Sequence, residues 1–148
     1  KKIKKAMKLY MLAAIAGFTV LSIGCASVAK FPVSSTVPAA EITAKKMVDK
    51  NKNYVIELVA KNLANSERLD PPKSNYSVWI ITDDNVTKNI GQLNNSNGKR
   101  TTLKTLTAFN VKEIFITAEN QGDLSYPMGT EISRTTFGNS KMKKLTSN

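Results

Sequence analysis

The feature that most constrains the fold of this 148-residue chain is an alternation of side chains over residues 54–61. Tyr54, Ile56, Leu58 and Ala60 are apolar, whereas both charged residues of the segment lie in the set between them. Successive side chains of a β-strand point to opposite faces of a sheet, so a period of two predicts a strand with one face on a core. We therefore expect a chain built from strands.

Further strand and turn signals lie along the rest of the chain. The Lys-Asn sequence at residues 50–53 predicts a hairpin turn, and residues 76–82 form an apolar run typical of a central strand. The other predicted strands cover residues 41–48, 86–93, 101–109, 113–119 and 130–135. Only a short turn near residues 63–67 has any helical character. About seven short strands joined by turns predict an all-β fold, a small antiparallel immunoglobulin-like β-sandwich after an N-terminal signal helix.

The first 25 residues have the order of an export signal. Five lysines precede an apolar run over residues 9–23, and Gly24-Cys25 follows. The stretch Leu21-Ser22-Ile23-Gly24-Cys25 resembles the lipobox of bacterial lipoproteins, with Ser22 where that family usually has Leu. In that family the cysteine thiol receives a diacylglyceryl group, the signal is cut before the cysteine, and the new amine is acylated. The resemblance implies signal cleavage between Gly24 and Cys25, and acyl chains such as palmitate on Cys25.

Two other interpretations of this leader remain open. Ser27-Val28-Ala29 could serve as an ordinary small-x-small cleavage site, which would leave a protein starting near Lys30. Residues 9–29 could instead stay uncut as a membrane anchor, since spanning takes roughly 20 apolar residues. All three interpretations put most of the chain outside the cytoplasm. Ala26 after the cysteine resembles the outer-membrane class of lipoproteins, which implies a bacterial envelope protein facing the periplasm.

Composition narrows the chemistry that the chain can perform. It has no histidine, which removes Ser-His-Asp and Cys-His catalysis and the usual zinc sites. Cys25 is the single cysteine, so no intramolecular disulfide can form. Asp83-Asp84-Asn85 could ligate calcium, but such a sequence is more often a turn. We expect no enzymatic activity, no catalytic residue, no metal site and no cofactor.

The charge of the chain is basic but spread out. Five of the 22 Lys and Arg residues lie in residues 1–24, which leaves 17 basic against 11 acidic residues, a net charge of +6, in the remainder. The basic pairs Lys45-Lys46, Lys99-Arg100 and Lys143-Lys144 are far apart in sequence, which favours a solvated surface. Attraction to anionic lipid or acidic polysaccharide is the alternative. No aromatic-basic motif for nucleic acid is present, so nucleic acid is not an expected partner.

The composition also predicts domain boundaries. Residues 25–39 contain Pro32, Pro38 and a Ser-Ser-Thr run, which predicts a flexible tether. Residues 1–24 are then the signal peptide, residues 40–137 the sandwich, and residues 138–148 a disordered basic tail. Trp79 lies in the predicted central strand, where packing is its expected role.

Part of the β region resembles a known extracytoplasmic domain. Tyr76-Ser77-Val78-Trp79-Ile80-Ile81 resembles the Tyr-x-x-Trp strand of the C-terminal domain of anti-sigma-K factors, and a strand with Gly91 follows, as in that family. Residues 113–122, together with Pro127, Gly129 and Ile132, resemble the closing strand, turn and strand of the domain. The resemblance covers about residues 41–135. It implies a β-sandwich that senses or binds something in the envelope.

These observations predict a function class without naming a ligand. The region before the sandwich is a signal and a tether, so the resemblance does not imply direct sigma-factor binding. We expect a lipid-anchored envelope protein, held to the membrane through lipid on Cys25, with a non-catalytic binding or sensing module for an envelope protein or glycan. The alternative is a structural envelope lipoprotein without a specific ligand.

Overall fold

The computed structural model describes residues 25–94 and 98–138. These residues form two antiparallel four-stranded sheets, with strand orders β1-β2-β3-β6 and β5-β4-β7-β8. The strands are β1 (Ser27–Lys30), β2 (Glu41–Val48), β3 (Tyr54–Lys61), β4 (Asn75–Thr82), β5 (Thr87–Leu93), β6 (Arg100–Thr107), β7 (Val111–Glu119) and β8 (Thr130–Thr136). The all-β fold class is confirmed. The predicted signal helix and the tail after Gly138 lie outside the described residues.

The connectivity is that of an immunoglobulin-like sandwich. β2 and β3 form the predicted hairpin, in which Val48 lies opposite Tyr54. β3 then pairs with β6, and β4 pairs with β7, so the chain passes between the sheets after β3, after β5 and after β6. These crossings place the inner faces of the two sheets against each other, as in other sandwiches of this type.

The core follows from the alternation seen in the sequence. Ile56, Leu58 and Ala60 of β3 are no more than 1% exposed, and Val78 and Ile80 of β4 are fully buried. Burying an Ile, Leu or Val side chain contributes roughly 1.5–3 kcal/mol to folding. Side chains from both sheets belong to this one cluster, so the two sheets share one core.

β1 lies in the segment predicted to be a flexible tether, and that prediction is wrong from Ser27 onward. β1 pairs with β2, with Ser27 opposite Lys46. After β1, Phe31 and Val37 are 5% and 3% exposed and pack in the core. Apolar side chains that find a core gain more than the ordering of a short segment costs, so the sandwich begins at Ser27 rather than at residue 40.

Side-chain hydrogen bonds hold the segment after β1 in place. The Ser34 hydroxyl accepts from the amide of Val37 at 3.3 Å. On the other sheet, the Ser133 hydroxyl donates to the carbonyl of Pro32 at 2.9 Å. Pro32 itself is exposed and lies outside the strand, where its missing amide leaves no gap in the ladder.

The strand ends define two ends of the sandwich. Cys25 lies before β1 at the end where β2 stops and β7 starts, since Lys46 near the end of β2 donates to the carbonyl of Val111 at 2.8 Å. We call this the Cys25 end, and it carries the turns at residues 49–53, 83–86 and 108–110. The opposite end carries residues 62–74 and 120–129, and we call it the loop end.

Because Tyr76 is buried, we expect the domain to lose stability in alkaline solution. Its hydroxyl donates to the carbonyl of Ala64 at 2.8 Å, and burial raises the pKa of Tyr76 to about 12. The folded state thus holds the phenolic proton more tightly than the unfolded state does. Its stabilising effect is complete below pH 10 and is lost as pH rises from 10 towards 12.

We expect Tyr76→Phe to have a flatter fall of the free energy of unfolding over this pH range than the wild type, as measured by urea titration. The exposed Tyr126 provides the control, because Tyr126→Phe should keep the wild-type slope. An unchanged slope in Tyr76→Phe would contradict this assignment.

Candidate binding site at the loop end

The two residues predicted for signal cleavage and lipidation are described only in part. Gly24 lies outside the described residues. Cys25 is exposed and carries a free thiol. Only Ala26 separates it from the first residue of β1. The structure therefore presents the predicted lipidation residue next to a folded sheet.

The sequence Asp83-Asp84-Asn85 forms a turn at the Cys25 end. Asn85 has a φ of 61°, and its amide donates to the carbonyl of Thr82 at 2.9 Å. One carboxylate oxygen of Asp83 accepts from the amide nitrogen of Asn110 at 2.7 Å. Within residues 25–94 and 98–138, no group of three or more His, Cys, Asp or Glu side chains is placed to hold a metal ion.

A buried chain of hydrogen bonds lies on the outer face of the second sheet. The indole Nε1 of Trp79 donates to Oγ1 of Thr117 at 2.8 Å, and this hydroxyl donates to Oε1 of Glu119 at 2.6 Å. The same carboxylate oxygen accepts from the amide of Met128 at 3.1 Å. The side chains of Trp79, Thr117 and Glu119 are at most 2% exposed. A carboxylate engaged in this way fixes the start of β8 to the end of β7.

Residues 120–129 fold back over this outer face. Asn89 of β5 donates through Nδ2 to the carbonyls of Gly122 at 3.1 Å and Leu124 at 3.0 Å. Asn89 lies directly opposite Trp79 in the sheet, and Phe115 flanks Trp79 on its other side. The loop thus crosses from β7 to β5 and returns, which explains why Trp79 is fully buried on a face that would otherwise meet solvent.

Trp79 therefore packs, as predicted, but beneath the loop rather than between the sheets. Its ring stacks on that of Phe115 with centroids 6.3 Å apart. The guanidinium of Arg134 lies 4.1 Å above the Phe115 ring and forms ion pairs with Glu113 and Glu131. Hydrogen bonding from Arg134 lowers the pKa of Glu131. The outer face is closed by these contacts, so the loop is a fixed part of the domain.

The loop presents apolar side chains to solvent beside a cavity. Tyr126 is 64% exposed and Met128 is 68% exposed. A cavity of about 290 Å³ lies beside Met128. Its lining residues are Lys73, Glu119, Asn120, Gln121, Leu124, Met128 and Gly129. Exposed aromatic and Met side chains on a fixed loop are typical of a surface that binds a partner.

A second cavity at the loop end is lined by Asn75, whose strand partner Glu119 lines the first cavity. It measures about 350 Å³. Its walls are polar and are formed by Asn65, Ser66, Ser74, Asn75, Gln92, Leu93 and Asn94. The loop end thus combines an apolar surface with two polar-rimmed hollows.

Sequence reasoning did not identify Thr117, Glu119 or Asn89 as residues that build this site. The signal that could have revealed the covered face was the run of apolar residues in β4, because a strand buried on both faces loses its alternation. Ser77 and Trp79 of the outer face are indeed as fully buried as Val78 of the inner face.

A substitution at Gly129 tests how closely residues 120–129 pack against the sheet. A Cβ atom at this position would overlap the carbonyl oxygen of Ala118 and crowd the Glu119 carboxylate. We expect Gly129→Ala to lower the melting temperature and to make residues 120–129 cleavable by protease. The backbone of Ala118 cannot move aside as a flexible side chain could, so the loop has to shift.

Gly138 provides a matched control for this substitution, since nothing lies within 4 Å of a Cβ built there. Gly138→Ala should melt and resist protease like the wild type. Equal behaviour of the two variants would contradict the close packing of the loop.

Comparisons with known proteins do not assign a function to this site. No known family matches the chain, and no curated protein or solved structure is significantly similar to it. In the part of the chain that the structure describes, no helix is long and apolar enough to cross a membrane.

Proposed function

We propose that this chain is a lipid-anchored bacterial envelope protein, acylated on Cys25, whose sandwich is a non-catalytic binding or sensing module. Residues 120–129 form its contact surface. The observation that carries the proposal is a loop fixed over the sheet by the buried Glu119 carboxylate, with Tyr126 and Met128 exposed at the end opposite Cys25.

The position of Cys25 supports lipidation over cleavage at the later site. A cut before Cys25 keeps all of β1, with its pairing to β2. A cut after Ala29 would remove most of β1 and would bare the edge of β2. An unpaired edge strand invites association with other chains. The exposed thiol is accessible to the modifying enzyme.

The chemistry of the loop favours a protein as the partner. Tyr and Met are enriched in protein interfaces, and Met adapts its shape to the surface that it meets. The resemblance to the anti-sigma-K domain supports the fold in this proposal rather than recognition, because Tyr76 and Trp79 of the shared motif are both fully buried. A partner must therefore contact other residues.

A photo-crosslinking residue at position 126 in intact cells tests the proposal. We expect a discrete, protease-sensitive adduct whose yield falls when Met128 is changed to Ser. The same probe at the exposed Thr102 of β6 is the control and should give no such adduct. A protease-resistant adduct would indicate a glycan. No adduct from position 126 would favour a structural lipoprotein without a ligand.

A further inference from the structure

We propose that the Cys25 end of the sandwich docks directly on an anionic membrane leaflet, with Phe109 at the lipid interface. This orientation would direct the loop end away from the membrane. The inference rests on the lipid anchor of the proposed function, and three separate features of the Cys25 end carry it: the short link to Cys25, the exposed apolar side chains and the local charge.

The link between the anchor and the sheet is too short for the domain to stand away from the membrane. Ala26 alone lies between Cys25 and β1. An extended chain spans at most about 3.3–3.6 Å per residue, so Cys25 stays within roughly 7 Å of Ser27. Acyl chains on Cys25 would bring the neighbouring turns into the headgroup region.

The Cys25 end exposes apolar side chains that could enter that region. Val48 ends β2 and is 51% exposed, Val86 precedes β5 and is 47% exposed, and Leu106 near the end of β6 is 58% exposed. Phe109 lies in the turn between β6 and β7 and is 45% exposed. Aromatic rings at a protein surface favour the interface between lipid and water.

Charge at this end complements an anionic leaflet. Four acidic residues, Asp49, Asp83, Asp84 and Glu113, lie in these turns and the adjoining strand ends, together with a larger number of basic residues. The basic residues are Lys46, Lys50, Lys52, Lys88, Lys112 and Arg134. Lys88 places its ammonium 4.4 Å above the Phe109 ring, so cation and aromatic ring form one amphipathic contact.

The loop end has no such surplus. Its acidic residues are Glu41, Glu67, Asp70, Glu119, Asp123 and Glu131, and its basic residues are Lys30, Lys61, Arg68, Lys73, Lys99 and Arg100. The charge of the described domain is therefore divided between a basic end and a nearly neutral end. Attraction to anionic lipid acts over about one Debye length, roughly 10 Å, and so it favours the basic end facing the membrane.

The end of the described chain adds to the same surface. The amide of Phe137 donates to the carbonyl of Lys112 at 3.1 Å, which places Gly138 at the Cys25 end. Residues 25 and 138, the first and last that the structure describes, therefore both lie at the Cys25 end.

Fluorescence quenching on vesicles tests the docking surface. Residues 25–148 would be coupled through Cys25 to a maleimide lipid in vesicles that contain phosphatidylglycerol and brominated acyl chains. Trp79 is the single tryptophan and is fully buried, so it gives a constant background. Bromine should quench added emission from Phe109→Trp and should leave that from the matched control Tyr126→Trp unquenched. Equal quenching in both, or quenching only at position 126, overturns the proposal.

A second arm tests the charge without any tether. Cys25→Ser protein is sedimented with phosphatidylglycerol vesicles at low salt. Each lysine held near an anionic surface contributes about fivefold in affinity, so Lys50→Gln with Lys52→Gln should weaken binding about 25-fold. The control pair, Lys61→Gln with Arg68→Gln at the loop end, should bind like the parent protein. Equal losses in the two pairs, or no binding by the parent, overturn the proposal.

Both arms are independent of acylation in the cell, since the coupling is chemical in one and absent in the other. Failure of the anchor in cells would be seen as an unlabelled Cys25. Failure of the docking surface would be seen only on vesicles, so the two failures can be told apart.

Discussion

A fragment of residues 40–137 should not fold cooperatively, whereas residues 25–138 should melt as one β domain. The shorter fragment lacks β1 and the buried side chains of Phe31 and Val37. Truncating a buried Phe alone typically costs about 3–5 kcal/mol, and a whole domain has only roughly 5–15 kcal/mol of stability. Removal of the segment also exposes the edge of β2, which favours aggregation.

Circular dichroism during heating provides the measurement for this prediction. In the longer protein, Phe31→Ala should lower the melting temperature strongly. Val33→Ala is the matched control, because Val33 lies two residues away and is 78% exposed. Equal melting of the two fragments would show that residues 25–39 are dispensable for folding.

Trp79→Ala should be the most damaging single substitution in the second sheet. It empties the space beneath residues 120–129, removes the ring that stacks on Phe115, and leaves Oγ1 of Thr117 without its indole donor. The expected cost is about 3–5 kcal/mol, which corresponds to a fall of more than about 10 °C in melting temperature. The fall should be accompanied by loss of crosslinking from position 126, because the loop loses its support.

Trp79→Phe separates packing from hydrogen bonding. It keeps an aromatic ring over Phe115 and loses only the indole N–H, for which a cost of about 0.5–1.5 kcal/mol is typical. Differential scanning calorimetry of the three proteins should therefore rank wild type above Trp79→Phe, and both well above Trp79→Ala. A Trp79→Ala protein that melts like the wild type would contradict the packing role.

The strands from β2 to β8 could be predicted because their signals are local. The predicted strand at residues 41–48 coincides with β2, and the turn at 50–53 provides the register of its hairpin with β3. Alternation in β3 and the apolar run in β4 report burial directly, since side chains of a strand alternate between faces. Such signals need no knowledge of distant residues.

β1 could not be predicted in the same way. Its four residues are too few to establish a period, and Pro32 and Pro38 nearby favour irregular structure. Its position is decided by contacts remote in sequence, such as the Ser133 hydroxyl on the carbonyl of Pro32. A flexible tether and a short edge strand therefore cannot be distinguished from sequence until the partner strand is known.

The candidate site could not be predicted from the sequence for a related reason. Glu119 ends a strand whose outer face would ordinarily meet solvent. A carboxylate expected at an exposed position does not indicate a functional site. It is buried only because residues 120–129 return over the sheet, where Asn89 holds the carbonyls of Gly122 and Leu124. Asn89 itself is a polar residue in an edge strand, where polar side chains ordinarily meet solvent.

Metabolic labelling with an alkyne fatty acid tests the lipid anchor most directly. The full chain and its Cys25→Ser variant would be produced in a bacterium and their bound label compared at equal protein. We expect label on the wild type and none on Cys25→Ser. A Ser27→Ala variant is the matched control and should be labelled like the wild type, because it keeps Cys25. Equal label on wild type and Cys25→Ser, or none on the wild type, would contradict lipidation of Cys25.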